Sequence, residues 1–371
     1  MFENERERYN TYMGKGSSRI VHLEHWSNPD AETYITGINY YKHPKLCRER
    51  LNEMYPYLYI DIPKSDDPKL IPQSEADEEC GTARWGDSET ATFKHGEFFF
   101  NTPEEVFSFS PLEKLDFTDW PHVVMSYDYS SEESVYHDLM QKLNLAPEDS
   151  LEVNREECRF GMFYNTMFMW PILTFGWELF LECCMDSRFE RIMDEFAVLN
   201  RRVFKALARM PVNIVFSHDD IVMTNGPICS PEWMHKYIFP RYEEFWGILN
   251  DAGKKVVFMA DGCVDAYVDD VMACGASGII TEPYSDFKSI ARKYENCVLA
   301  GEGDTRTLMR NNPAEIRKMV EGMVETGKMS SGYFMCIGNH IPWNVPPEAV
   351  KYYLDCCQEL AWRNSDIYSV R

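Results

Sequence analysis

Acidic residues and histidines follow five short apolar segments in the second half of the chain. The segments are residues 212–216, 255–258, 278–281, 297–300 and 332–336. The polar residues after them are, in order, His218, Asp219 and Asp220, Asp261, Glu282, Glu302 and Asp304, and Asn339 with His340. Carboxylates and imidazoles serve as general acids and bases and as metal ligands. If these carboxylates lie together, a cation, a bound proton or a positive partner must offset their repulsion.

The apolar segments alternate with helical patterns. These patterns cover residues 186–209, 231–252, 266–274, 286–294, 313–326 and 346–362. Strand–helix units with fully apolar strands predict the α/β class, with a parallel sheet covered on both faces. Periodicity leaves open whether this sheet closes into a barrel or stays open and doubly wound. In a barrel the carboxyl ends of all strands open onto one face, where the acids and His340 would converge.

Some of these residues have a structural alternative. Asp219 and Asp304 could be N-caps of the following helices, because aspartate is a favoured cap residue. His218 could act as a base or hold a neighbouring aspartate, and His340 could bind a ligand or stabilise its turn. The aromatic and methionine-rich residues 160–170 could pack in a core or line an apolar pocket. Within them, Tyr164 and Asn165 are the candidates for a pocket because they carry polar groups.

The first third of the chain lacks the strand–helix rhythm. We interpret residues 1–115 as an irregular elaboration packed on the domain formed by residues 116–371. A hairpin is predicted within the elaboration at residues 81–100. Residues 121–125 are a further candidate strand.

Composition narrows the classes of partner. The formal net charge is -23, from 60 acidic and 37 basic residues. An acidic surface repels phosphate backbones and anionic lipids, which argues against nucleic acid and membranes as partners. No phosphate-binding glycine motif follows a strand, which argues against a bound nucleotide. The amino terminus lacks the apolar stretch of a signal peptide and the 12 cysteines include no CxxC motif, so we expect a reduced, cytoplasmic protein.

Several stretches taken together resemble the uroporphyrinogen decarboxylase superfamily, which includes cobamide-dependent methyltransferases. The resemblance covers about residues 80–362 and is strongest after residue 210. The stretches that carry it are Ser217-His-Asp-Asp220, Ser230-Pro-Glu-Trp233, Phe239-Pro-Arg-Tyr242, Gly253-Lys-Lys-Val-Val-Phe258, the Asp261-Gly262 turn, Ala273-Cys-Gly-Ala-Ser-Gly278 and Asn339-His-Ile-Pro-Trp-Asn-Val-Pro-Pro-Glu348. Residues 84–87 and the helical pattern that begins at residue 186 fit more loosely.

The resemblance implies a single (β/α)8 TIM-type barrel that carries the N-terminal elaboration, and a homodimer, which is frequent among such proteins. Methylcobamide:thiol methyltransferases of the superfamily have His-x-Cys-Gly at the turn that here reads Met259-Ala-Asp261-Gly262. Their third zinc ligand, a cysteine, falls at or beside Asn339-His340. Both thiolates are therefore replaced here. Asp261 and His340, with Glu282 or Glu302, would instead give a zinc site of oxygen and nitrogen ligands.

The departures from the family also narrow the expected activity. The arginine-rich amino-terminal motif of the decarboxylase has no counterpart here, and a polyanionic porphyrinogen would meet a face crowded with acids. The remaining branch passes a methyl group from an organic donor to the cobalamin of a separate corrinoid protein. We therefore expect a methyltransferase that demethylates a small aromatic methyl ether resembling veratrole, guaiacol or vanillate.

Each candidate residue has an expected role in this activity. The catalytic candidates are Asp219, Asp220, Asp261, Glu302 and His340, and the substrate-binding candidates are Tyr164, Asn165, His218, Met259 and Asn339. The metal candidates are Asp261, Glu282, Glu302 and His340. Three alternatives remain: a decarboxylase related to uroporphyrinogen decarboxylase that acts on another small acid, a methylcobamide-dependent methyltransferase with another methyl donor or acceptor, and a non-catalytic scaffold that docks a corrinoid protein.

Overall fold

The computed structural model describes residues 3–60, 62–63, 66, 75–77, 82–84, 100–114, 127–143, 157–164 and 166–363. The strands are β1 (Val21–Leu23), β2 (Trp26–Ser27), β3 (Leu58–Tyr59), β4 (Glu75–Asp77), β5 (Thr82–Arg84), β6 (Phe160–Phe163), β7 (Ile214–His218), β8 (Val222–Met223), β9 (Gly226–Pro227), β10 (Lys255–Met259), β11 (Gly278–Ile280), β12 (Val298–Ala300), β13 (Gly332–Met335) and β14 (Ile341–Pro342).

The helices are α1 (Glu3–Tyr12), α2 (Pro29–Thr36), α3 (Pro44–Met54), α4 (Pro103–Ser108), α5 (Pro111–Lys114), α6 (Glu132–Lys142), α7 (Met169–Phe175), α8 (Trp177–Cys183), α9 (Phe189–Arg209), α10 (Pro231–Tyr237), α11 (Phe239–Asp251), α12 (Val268–Ala273), α13 (Phe287–Lys293), α14 (Thr305–Met309), α15 (Pro313–Met329) and α16 (Pro347–Leu360). No helix among the described residues is both long enough and apolar enough to cross a membrane.

The chain forms two compact units. Unit 1 is Met1–Thr92 with Ile280–Arg371, and unit 2 is Phe93–Ile279. Unit 1 contains four strands of the main sheet (β1, β3, β12 and β13) and unit 2 contains three (β6, β7 and β10), while the chain passes from unit 2 to unit 1 within β11. In unit 1, β1 pairs in parallel with β3 and β13, and β12 pairs in parallel with β13. In unit 2, β7 pairs in parallel with β6 and β10. Parallel strands that alternate with helices fit the α/β, TIM-type barrel class, which confirms the predicted fold.

The central strands of unit 2 are buried along their length. The first four residues of β7 and residues 256–258 of β10 are all buried, as expected for strands covered on both faces. The end of this strand differs slightly from the prediction, since β7 runs to His218 rather than ending at Phe216. It does so because Ser217 and His218 still pair with Phe258 and Met259. The strand therefore delivers His218 directly to its carboxyl end.

The helix predicted at residues 231–252 is two helices. α10 ends and α11 begins around Ile238. Pro240 explains the break, because its ring lacks the N–H that a continuous helix would bond to the carbonyl four residues earlier. Pro231, Pro313 and Pro347 lie in the first turns of their helices, where a missing N–H is tolerated.

Two strands of the unit 1 sheet come from the range interpreted as an elaboration. β1 and β3 lie within residues 1–115 and pair in parallel with each other. The sequence predicted a hairpin at residues 81–100. Within this range β5 pairs antiparallel with β4, and residues 85–99 lie outside the described part of the chain. The candidate strand at residues 121–125 also lies outside it. The domain boundary at residue 115 stays a prediction.

Candidate functional site

Three neighbouring strands of unit 2 bring polar side chains to one edge of the sheet. β6 is followed directly by Tyr164, β7 ends at His218, and Asp261 lies two residues after β10. The register pairs Met259 of β10 with His218. Because the carboxyl ends of parallel strands meet at the same edge, these side chains lie together.

His218, Asp220 and Asp261 form a compact group. One potential ligand atom from each of these residues lies within 4.8 Å of those of the other two. Nε2 of His218 is 3.4 Å from Oδ1 of Asp220. The backbone N–H of Asp261 donates to the same Oδ1 over 2.8 Å. The group therefore offers one nitrogen and two carboxylates at a single point.

His218 is held as a neutral imidazole. Burial lowers the pKa of His218, because a buried imidazolium loses its hydration, and the charges of Asp261 and Asp219 oppose this only in part. The ring lies 4.5 Å from that of Tyr164, centroid to centroid. Nδ1 of His218 is buried and has no hydrogen-bond partner among the described residues. A buried polar atom without a partner is unusual in a native site and marks a place where a ligand, ion or water belongs.

The donor set of this group fits a divalent cation. Zinc accepts histidine nitrogen and aspartate oxygen at about 2.0–2.2 Å, and a catalytic zinc keeps three protein ligands with one position open. A neutral histidine beside two aspartates supplies such a set after small side-chain movements. Among the described residues, this is the group of three whose atoms lie close enough to hold a metal ion. Two of its members, His218 and Asp220, were not predicted as metal ligands.

A short hairpin supports the turn that carries Asp261. Gly262 has φ +95°, and a Cβ atom there would lie 2.7 Å from the carbonyl carbon and oxygen of Met223 in β8. The next residue, Cys263, donates its N–H to that carbonyl over 2.9 Å. The turn after β10 therefore requires glycine, both for its backbone conformation and for the close approach of the β8–β9 hairpin. This hairpin was not predicted from the sequence.

Asp219, the neighbour of Asp220 in the sequence, holds the start of α7 through buried hydrogen bonds. It is fully buried, and its Oδ2 accepts hydrogen bonds from Thr166 Oγ1, the backbone N–H of Phe168 and Tyr242 OH at 2.6–2.7 Å. Oδ1 accepts from the N–H of Met169 over 2.7 Å. Burial raises the pKa of Asp219, and the four donors counteract this rise. These contacts tie the start of α7 to the end of β7, which is a structural role. The catalytic role predicted for Asp219 stays a prediction.

Glu302 lies in unit 1 and does not belong to the described group of metal-competent residues. Its two carboxylate oxygens accept hydrogen bonds from Thr326 Oγ1 at 2.9 Å and from Tyr333 OH at 2.5 Å. Burial raises the pKa of Glu302, although both hydroxyls oppose the rise. Asp304, close by, caps α14 through the N–H of Arg306, which is the N-cap alternative anticipated from the sequence.

The turn after β13 holds the other predicted residues of unit 1. Gly338 packs so closely against Pro283 and the carbonyl of Gly301 that a Cβ atom would lie within 2.7 Å of both. The turns that carry Glu282 and His340 are therefore neighbours. Neither residue belongs to a group of three metal-competent side chains among the described residues.

His340 is also held neutral. Nδ1 lies 2.6 Å from Oδ1 of Asn339, so Nδ1 donates and Nε2 remains the acceptor of the neutral ring. Burial lowers the pKa of His340 to about 4, and His25 contributes to the lowering. The rings of His25 and His340 lie 5.9 Å apart. His25 was not among the residues predicted for the site, and its one signal in the sequence is its place two residues after the short strand β1. Asn165 lies outside the described residues.

Comparisons with known proteins show which family and which solved structures the chain resembles. Residues 183–360 match the model of the uroporphyrinogen decarboxylase (URO-D) family. A solved structure, a methyltransferase from Methanosarcina mazei, is similar over 97% of this chain and 99% of its own, with a TM-score of 0.56 and 12% identity. A xylose isomerase-like TIM barrel protein from Mycobacterium smegmatis is similar over 62% of this chain and 89% of its own, with a TM-score of 0.28 and 11% identity. No curated protein matches in sequence. Over residues 183–360, just under half of the chain, the sequence is therefore similar to the uroporphyrinogen decarboxylase family.

Proposed function

We propose that this chain is a methyltransferase that moves the methyl group of an aromatic methyl ether to the cob(I)alamin of a corrinoid protein. The observation that carries the proposal is the group of His218, Asp220 and Asp261 beside the ring of Tyr164. The proposal is also supported by the printed name of the similarly folded Methanosarcina mazei protein, a methyltransferase. The family resemblance of the sequence points in the same direction.

Cleaving an aryl methyl ether is limited by its leaving group. Cob(I)alamin is a strong nucleophile, so the barrier lies mainly in releasing phenoxide, which a proton or a Lewis acid must stabilise. A divalent cation bound when the site is loaded would supply that Lewis acid. His218, Asp220 and Asp261 would hold it, since they provide one nitrogen and two oxygens within 4.8 Å of one another. The proposed ligand set retains Asp261 from the sequence prediction and replaces the residues of unit 1.

The same edge of the sheet offers contacts to an aromatic ring. Tyr164 remains a phenol because burial, followed by the charges of Asp261 and Asp220, raises the pKa of its hydroxyl. A neutral phenol donates a hydrogen bond to an oxygen, and its ring packs against another ring. Met259 is half-buried and pairs with His218 in the strand register, so it adds a polarizable thioether side chain at this edge. Aligned reactants gain up to roughly 7–11 kcal/mol over a free encounter, so groups that orient the ring would matter for the rate.

The test is an anaerobic assay with purified protein, free cob(I)alamin and a panel of methyl donors. We expect methylcobalamin to form with veratrole or guaiacol, and to stop after chelation and resume after zinc is restored. The variant His218→Ala should lose the reaction, whereas His235→Ala, at an exposed histidine of the same unit, should retain it. Consumption of methanol or a methylamine in place of every aryl ether would overturn the substrate assignment. Release of carbon dioxide from an aromatic acid without methyl transfer would favour a decarboxylase.

A further inference from the structure

A cleft in unit 1 lies at the amino ends of β1 and β3, beside the last turn of α16. Arg19 and Ile20 directly precede β1, Tyr57 directly precedes β3, and Gln358 belongs to α16. The cleft is partly open to solvent and encloses about 250 Å³. Pockets for drug-sized ligands enclose roughly 300–1,000 Å³, so this cleft suits a smaller molecule. The predicted site residues of unit 1 follow the carboxyl ends of their strands, so the cleft is separate from them.

The guanidinium of Arg19 is held in place at the wall of this cleft. Its Cζ lies 4.4 Å from the ring centroid of Tyr57 and 4.4 Å from that of Trp362, so two aromatic rings pack against it. Its Nη2 donates a hydrogen bond to the carbonyl of Gln358 over 2.6 Å. This bond to the end of α16 uses only one of the five N–H groups of a guanidinium.

The charge of Arg19 is buried without a matching carboxylate. Arg19 is 4% exposed, its Nε has no hydrogen-bond partner, and no acid among the described residues forms an ion pair with it. Burial lowers the pKa of Arg19, because a buried cation loses its hydration, and Tyr57 and Glu7 oppose this only in part. Glu7 instead accepts a hydrogen bond from the hydroxyl of Ser18. An anion that accepts from Nε would offset both the buried charge and the unpaired donor.

Aliphatic side chains line the same cleft. Those of Ile20, Leu58 and Leu354 are buried in its wall. A guanidinium pairs with a carboxylate through two parallel hydrogen bonds, and an aliphatic wall packs against an alkyl chain. We propose that this cleft binds a short-chain aliphatic carboxylate, such as propionate, with the carboxylate on the free N–H groups of Arg19. The inference does not depend on the proposed methyl transfer.

The test is the binding of sodium propionate to the full chain, followed by saturation-transfer NMR and by thermal unfolding at constant ionic strength. We expect saturable binding and a melting temperature that rises with the propionate concentration, because the ligand binds the folded state. Propionamide has nearly the same shape without the charge, and it should bind at least about tenfold more weakly. Sodium chloride at the same concentration tests whether any small anion suffices, and it should not displace propionate.

Variants of the arginine test its part in binding. Arg19→Met keeps an unbranched side chain but removes the charge and every N–H group, and the affinity for propionate should fall at least about tenfold. Arg292→Met, at an exposed arginine of unit 1, is the matched control and should bind propionate like the wild type.

A second variant keeps the proposal testable if Arg19→Met fails to fold. Tyr57→Leu removes one of the rings that hold the guanidinium, and it should weaken propionate binding about two- to fivefold. Tyr352→Leu, at a half-buried tyrosine of α16 outside the cleft, should leave binding unchanged. The proposal is overturned if propionate does not bind the wild-type protein, if propionamide binds equally well, if chloride displaces propionate at equal concentration, or if Arg19→Met and Tyr57→Leu bind like the wild type.

Discussion

The backbone N–H of Asp261 donates a hydrogen bond to the side-chain Oδ1 of Asp220 over 2.8 Å. The same oxygen lies 3.4 Å from Nε2 of His218. One carboxylate therefore fixes the turn that presents Asp261 and at the same time faces the imidazole. The acid after β7 and the acid after β10 are linked as parts of one site in unit 2.

Replacing Asp220 should separate its two tasks. Asp220→Asn keeps an oxygen for the Asp261 N–H but loses a charged ligand, and we expect the affinity for zinc to fall about 10–100-fold, the range seen when supports of a metal site are removed. Asp220→Ala should weaken binding further, because the turn also loses its acceptor. Calorimetric titration with zinc measures both variants against Asp269→Asn, an exposed acid on α12. Equal affinities in all four proteins would contradict the assignment.

Asp219 should prove to be a stability residue. In Asp219→Asn an amide N–H₂ replaces one of two oxygens that together accept four hydrogen bonds, so at least one buried donor loses its partner. We expect the free energy of unfolding to fall by about 2–4 kcal/mol. Tyr242→Phe, which removes one of the four donors, should cost about 1 kcal/mol. Urea denaturation compares the two. An Asp219→Asn protein as stable as the wild type would show that the carboxylate does not anchor α7.

The Gly262 turn should tolerate no side chain. Gly262→Ala adds a Cβ atom 2.7 Å from the Met223 backbone at φ +95°, so it should both destabilise the fold and displace Asp261. Gly253→Ala is the matched control, because its φ is +74° and nothing lies within 4 Å of the added atom. We expect the control to cost about 1 kcal/mol from backbone strain alone. Gly262→Ala should cost more and also weaken zinc binding. Similar effects of both variants on zinc affinity would show that the β8–β9 hairpin does not position Asp261.

The sequence predicts the fold better than it predicts the ligand set. Continuous apolar segments such as β7 and β10 specify buried parallel strands, because both faces of each strand are covered. Periodicity cannot show, however, that β7 extends through Ser217 to His218, since that depends on pairing with β10. The helix break at Ile238 follows from Pro240, a local cause that was present in the sequence but outweighed by the apolar pattern around it.

Side-chain direction explains why some predicted site residues have other contacts. Glu302 lies two residues after β12, near the strand end that the sequence indicates, but its carboxylate accepts hydrogen bonds from hydroxyls of α15 and β13. Asp219 and Asp220 are adjacent in sequence and face different neighbours, one a buried anchor and the other a member of the metal-competent group. The sequence places each acid at a strand end and contains no signal for which way the side chain turns.

Glu302 should make stability depend on pH. Its pKa in the folded protein is raised above the ordinary 4.5, so its contribution to stability is fully present below pH 4.5 and is lost as the pH rises through the raised value. Glu302→Gln is neutral at every pH. Its melting temperature should therefore exceed that of the wild type at pH 8, and the gap should close towards pH 4.5. Differential scanning calorimetry measures the gap, with exposed Glu295→Gln as the control. If the difference in melting temperature instead widens as the pH falls, the pKa of Glu302 is not raised in the folded protein.

The proposed methyl transfer is tested by the anaerobic reaction of cob(I)alamin with a large excess of veratrole, in which methylcobalamin and the phenol product guaiacol are measured together at low conversion. Wild-type protein should form the two products in equal amounts, because little guaiacol has yet been demethylated in turn. Asp261→Asn should react at least about 100-fold more slowly, because the group that stabilises the leaving oxygen loses one of its ligands, while Asp269→Asn should match the wild type. The proposed function is contradicted if the wild-type protein, supplied with zinc, forms neither product from any aryl methyl ether, or if Asp261→Asn reacts at the wild-type rate.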